Sequence, residues 1–123
     1  MAIVIEFHEP LGVIELVFPD AFALEELYAA LARCMQLSTE HSCKRFLVDT
    51  SAIAQQGDSF DILHLAEQMA SMPPGSIERE AILPPADQAV AGDFRFFETA
   101  ARNRGLNVRV MTSRDEALAW LTA

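Results

Sequence analysis

Four polar residues stand closest to chemistry in this sequence. Asp49 and Ser51 follow the apolar run Phe46-Leu47-Val48, and Asp58 and Ser59 close the same polar loop. A serine at a helix N-terminus can hold a phosphate, because free backbone N–H groups and the helix dipole favour an anion there. The commoner role of Asp58 and Ser59 is capping, in which a short oxygen-bearing side chain accepts from an orphan N–H. Both roles need a helix that begins near Ser59. The stripe Ile62, Leu65, Ala66 and Met69, with Phe60 ahead of it, supplies one.

Other chemistry is thinner. His41, Cys43 and Cys34 are ligand-type residues, but three donors without a fourth fall short of a zinc set, and no metal is expected. His8 and His64 have no evident partners. The acidic pairs Glu25-Glu26, Glu78-Glu80 and Asp115-Glu116 read as solvated faces. Carboxylates become catalytic only in a shaped cleft with tuned pKa values. The sequence holds no GxSxG elbow, no glycine-rich phosphate loop and no HExxH motif. The expectation is a chain without a catalytic set and without a cofactor.

Apolar side chains offer recognition instead of reaction. Phe94, Phe96 and Phe97 crowd one helix, and Met69, Met72 and Met111 add soft, adaptable packing. Phe96 and Phe97 are adjacent, so they cannot both face the same way. One faces the core, the other a partner, a ligand pocket or solvent.

The elements that must position these residues follow from periodicity. Ile3–Phe7 and Val13–Phe18 are β-branched runs separated by Pro10 and Gly12, an antiparallel hairpin. Leu24, Leu27, Tyr28, Leu31, Cys34 and Met35 form one face of a helix, with Asp20 as its cap and Ser38-Thr39 near its end. Phe46–Val48 is a strand buried on both faces. Met72-Pro73-Pro74-Gly75 stops the helix that carries Met69.

Ile77–Leu83 is the next strand, strongest at Ala81–Leu83. Val90, Phe94, Phe97 and Ala101 mark a helical face, which Gly105 ends in a left-handed conformation. Val108–Met111 is the last strand. Ser113 to Glu116 fits a capping box before a short helix carrying Ala117, Leu118, Trp120 and Leu121. The order ββαβαβαβα predicts an α/β domain over residues 1–123. Its five-stranded mixed sheet is mostly parallel, with about four helices.

Composition narrows the partners. The chain has 123 residues, enough for one core without staples. Its net charge of −9 disfavours nucleic acid and anionic membranes, whose phosphates need Lys and Arg. No run reaches the roughly 18 apolar residues of a transmembrane helix. Two cysteines with no CxxC pair and no secretory signal point to the cytoplasm.

At Ala81-Ile82-Leu83 with Pro84-Pro85, Arg95-Phe96-Phe97-Glu98, Asn107–Val110 and Arg114-Asp115-Glu116-Ala117-Leu118-Ala119-Trp120-Leu121, the chain resembles the SpoIIAA-like proteins of the STAS superfamily. These are small bacterial domains also likened to the CRAL-TRIO lipid-carrier fold. Phe46-Leu47-Val48-Asp49 is similar to the family's centre. The resemblance implies the fold and little about activity. It adds a serine switch, in which Ser59, or Ser51, is phosphorylated by a partner kinase. Phe60 follows Ser59 where the switch pattern has a small residue, and the loop is about one residue longer than that pattern. The resemblance also implies a homodimer, a regulatory protein partner, or a small apolar or lipid-like ligand. The leading expectation is a non-enzymatic interaction or ligand-binding module.

Overall fold

A computed structural model describes residues 3–54 and 66–123. Asp58, Ser59, Phe60, Ile62, His64 and Leu65 lie outside the described residues. The chain builds β1 (Val4–His8), β2 (Val13–Val17), α1 (Leu24–His41), β3 (Arg45–Asp49), α2 (residues 66–70), β4 (Arg79–Leu83), α3 (Gln88–Asn103), β5 (Val108–Val110) and α4 (Arg114–Leu121). The strands lie side by side in the order β1-β2-β3-β4-β5. β1 and β2 are antiparallel, and every later pair is parallel. The chain is therefore α/β with a five-stranded mixed sheet, as the periodicity predicts.

The hairpin turns where the sequence breaks. Gly12 sits at φ 68°, and its N–H donates to the His8 carbonyl at 2.9 Å. Residues with side chains rarely adopt that conformation without strain. The register sets Phe7 opposite Ile14 and His8 opposite Val13. Side chains alternate across the sheet, so each strand serves two faces.

One face carries Ile14, Leu16, Phe46, Ile82 and Val108, all buried. They pack with Cys34 and Leu37 of α1, Ala66 and Met69 of α2, and Phe97 and Ala101 of α3 in one continuous core. The opposite face carries Val13, Leu47, Ala81 and Leu83, which α4 covers with Ala117 and Leu121. Burying one such aliphatic side chain contributes about 1.5–3 kcal/mol. Leu47 has no exposure and lies in the middle of the sheet, so Leu47→Ala would remove about 2–5 kcal/mol.

Helix ends show where side chains and backbone compete. α1 begins at Leu24, not after Asp20; Ala23 occupies the cap position, and Glu26 accepts from its N–H at 3.1 Å. The helix also runs past Ser38-Thr39 to His41, because the Thr39 hydroxyl donates back to the Met35 carbonyl and Ser42 supplies a left-handed end. Asp87 caps α3 by accepting from the N–H groups of Ala89 and Val90. Gly105, at φ 87°, follows the end of α3 as its left-handed terminator. Ser113 caps α4 by accepting from Glu116 N–H at 3.2 Å. Among the described residues, no helix is long and apolar enough to cross a membrane.

Candidate functional site

Among the described residues the helical layer does not close completely over the sheet. Between them lies a partly open cleft of about 480 Å³. Leu16, Phe46 and Ile82 form its floor on β2, β3 and β4; Leu31, Met69 and Phe97 represent the helical walls. This volume is in the range of small-molecule sites, which are mostly apolar with a few placed polar groups.

The polar groups here are unusual in kind. Glu80 points to the helical face of β4, sharing it with Ile82, and is only 6% exposed. Asp93 lines the same cleft from α3 at 7% exposure, and its Oδ2 has no hydrogen-bond partner. An unpaired acceptor at such depth costs about 1–3 kcal/mol, more when charged. Burial pushes the Glu80 pKa up from 4.5 to about 7. Thr50 also lines the cleft, but its hydroxyl is satisfied by the Leu83 carbonyl at 2.7 Å.

Cys34 stands nearby on α1. Burial first, then the charges of Glu80 and Cys43, push its thiol up to about 12. It is a packing residue, because the thiolate is the nucleophile and this thiol holds its proton.

A second polar cluster occupies the opposite face. Glu15 on β2 accepts two hydrogen bonds from Arg114 of α4, at 2.7 and 2.9 Å. His8 on β1 lies 2.7 Å from the same carboxylate. Hydrogen bonds from Arg114 hold the Glu15 carboxyl below its ordinary value against the opposing effect of burial. At the other end of α4, Arg45 donates to the Leu121 carbonyl and Arg79 to the Trp120 carbonyl. Both cations lie where the helix dipole is negative. The cluster clamps α4 to the sheet at both ends, and its groups are spent on each other.

The candidate residues from the sequence separate. Asp49 accepts from both the N–H and the hydroxyl of Ser51, at 3.0 and 2.6 Å, a local turn at the end of β3. Asp58 and Ser59 lie outside the described residues. Phe94 and Phe97 both line the cleft, whereas Phe96 is 45% exposed on the far side of α3. Cys34 and Cys43 are buried free thiols, and His41 stacks on Phe7 with ring centroids 4.0 Å apart. Among the described residues no group of three or more His, Cys, Asp or Glu could hold a metal ion.

Two expectations are corrected. Glu80 is not on a solvated face: only Glu78 of that pair is exposed, and the two-residue period of β4 turns Glu80 inward. His8 does have a partner, Glu15. Sequence reasoning missed Glu80 and Asp93 as site residues, although signals existed. Glu80 falls inside a run read as strand. Asp93 falls three residues after Val90 and four before Phe97, on their helical face.

No family model, curated protein or solved structure matches this chain.

Proposed function

We propose that this chain is a non-enzymatic binding module whose cleft takes a small, mainly apolar molecule. The observation that carries the reading is the cleft of about 480 Å³ between the sheet and the helical layer. A domain of this length has little core to spare, and void space in a core forfeits dispersion contacts. A ligand that fills the cleft restores them. The SpoIIAA-like resemblance is compatible with such a role, since it concerns element order and implies no reaction.

Native mass spectrometry of the gently purified protein, followed by denaturing mass of the same sample, tests this. An added mass that disappears on denaturation is the expected result. A clean mass, together with no saturable fluorescence enhancement of the neutral apolar dye Nile red, would remove the proposal. Competition between the dye and the native adduct would place both in one site.

A further inference from the structure

We infer that the molecule held in the cleft is an organic cation, an apolar body ending in an ammonium group that meets the buried, unpartnered carboxylate of Asp93, with Glu80 lining the same cleft. The inference rests on the binding reading above and specifies its ligand class. Its basis is the chemistry of the lining. Among the described residues the cleft presents three carboxylates, Asp20, Glu80 and Asp93, and no Lys, Arg or His. Asp20 is exposed, while the other two are more than nine-tenths buried.

An ionised carboxylate is acceptor-only, so each of these groups needs a donor. Asp93 Oδ2 has none. Buried charge is tolerated when it is paired and hydrogen-bonded. Asp93 Oδ2 is the buried cleft atom left without a donor, and an occupant carrying N–H groups would supply one. An ammonium supplies up to three N–H donors and one positive charge. A hydroxyl or amide supplies a donor without the charge, and a carboxylate supplies like charge, which is repelled.

The aromatic lining points the same way. Tyr28, Phe46, Phe94 and Phe97 all line the cleft. Ring faces carry negative quadrupole density and attract cations, most of all when the site is desolvated. Carboxylates combined with aromatic rings in an apolar cleft favour a cationic head over a neutral one. Glu80, held near neutrality by burial, returns to its charged form when an ammonium arrives beside it.

Three eight-carbon probes of matched length, octylamine, octanol and octanoate, test this by isothermal titration at neutral pH. The expected result is saturable binding of octylamine at one equivalent, weaker binding of octanol and none of octanoate. The net charge of −9 attracts any cation, so the variants decide the site. Glu80→Gln and Asp93→Asn should each weaken octylamine by about ten- to hundredfold while leaving octanol unchanged. Both variants keep the size of the side chain and replace a buried carboxylate with an uncharged amide. Octanol or octanoate binding as tightly as octylamine would overturn the cation and leave the apolar-binding reading standing. Octylamine affinity unchanged in both variants and in the double variant would overturn the assignment to these carboxylates. Failure of all three probes and of Nile red would overturn both readings together.

Discussion

Arg114, the first residue of α4, grips Glu15 in the middle of the sheet through two nearly parallel hydrogen bonds of 2.7 and 2.9 Å. The two residues are 99 positions apart in the chain. The fork geometry suits a guanidinium and not an ammonium, so Lys is no replacement. Glu15 is buried while Arg114 is half exposed, and truncating the arginine strands the carboxylate with His8 alone.

Arg114→Ala should therefore cost about 1–3 kcal/mol, read as a lower urea midpoint. Loss of the clamp should also loosen α4, whose Trp120 lies against the Arg109 guanidinium at 4.9 Å. Trp120 fluorescence is the second readout. The acid limb carries the same signature. The Glu15 carboxyl is held below its ordinary value of 4.5. Its contribution to stability is thus present above 4.5 and is lost as pH falls through the lower folded value. In Arg114→Ala that contribution should be absent, so the stability gap between the variant and the unaltered chain should narrow as pH falls below 4.5. An unchanged acid limb would show that the pair contributes nothing.

Phe96 and Phe97 give a direct comparison of two neighbours on α3. Phe97 is 4% exposed and faces the core; Phe96 is 45% exposed. Phe97→Ala should cost about 3–5 kcal/mol, and Phe96→Ala should stay within about 0.5 kcal/mol of the unaltered chain. Thermal or urea unfolding of the two variants side by side measures this. Equal losses would mean that Phe96 is buried against something in solution.

That pair also illustrates how far the sequence reaches. Helical spacing alone separates Phe96 from Phe97, and the same logic places Val90 and Ala101 on the buried face of α3. Alternation and breakers locate the hairpin, and Ser113 announces α4 by its side chain. Reading failed where residue type was allowed to outrank position. Glu80 is charged and so reads as solvent-facing, and Asp93 draws no reading at all, although strand and helix periods turn both inward. It failed again where the partner is distant in the chain. No local pattern announces that Glu15 will meet Arg114, because only the assembled sheet and α4 bring them together. The start of α1 was misplaced for a subtler reason: Ala23 has no capping side chain, and Glu26 reaches back to do part of that work.

Cysteine reactivity tests the interior directly. The Cys34 thiol, pushed up to about 12, is fully protonated near neutrality and shielded on α1. Alkylation by iodoacetamide at about pH 8 should leave Cys34 unlabelled in the native protein and label it in urea. Burial is the first cause of the shift and the Glu80 charge only the second, so Glu80→Gln should leave Cys34 protected. Rapid native labelling, mapped by peptide mass, would mean that the cleft opens to solvent at α1.

The charge state of Glu80 sets how stability changes between about pH 4.5 and pH 7. In the folded chain its pKa stands at about 7 against an ordinary 4.5, with desolvation as the cause. Between those two values the unfolded chain has released the proton and the folded chain still holds it. Ionisation then favours the unfolded state, so stability falls as pH rises from 4.5 to about 7 and levels off above. At about 1.4 kcal/mol per pKa unit, the fall amounts to roughly 3 kcal/mol. Among the described residues the cleft holds no Lys, Arg or His that would offset it, and Cys34 is protonated throughout this range. Glu80→Gln removes the titration. The stability difference between Glu80→Gln and the unaltered chain should therefore change in favour of the variant by up to roughly 3 kcal/mol between about pH 4 and pH 8. Urea unfolding across that range measures it. Parallel pH profiles would mean that Glu80 ionises as freely in the folded chain as in the unfolded one, and that water or a donor already reaches its carboxylate.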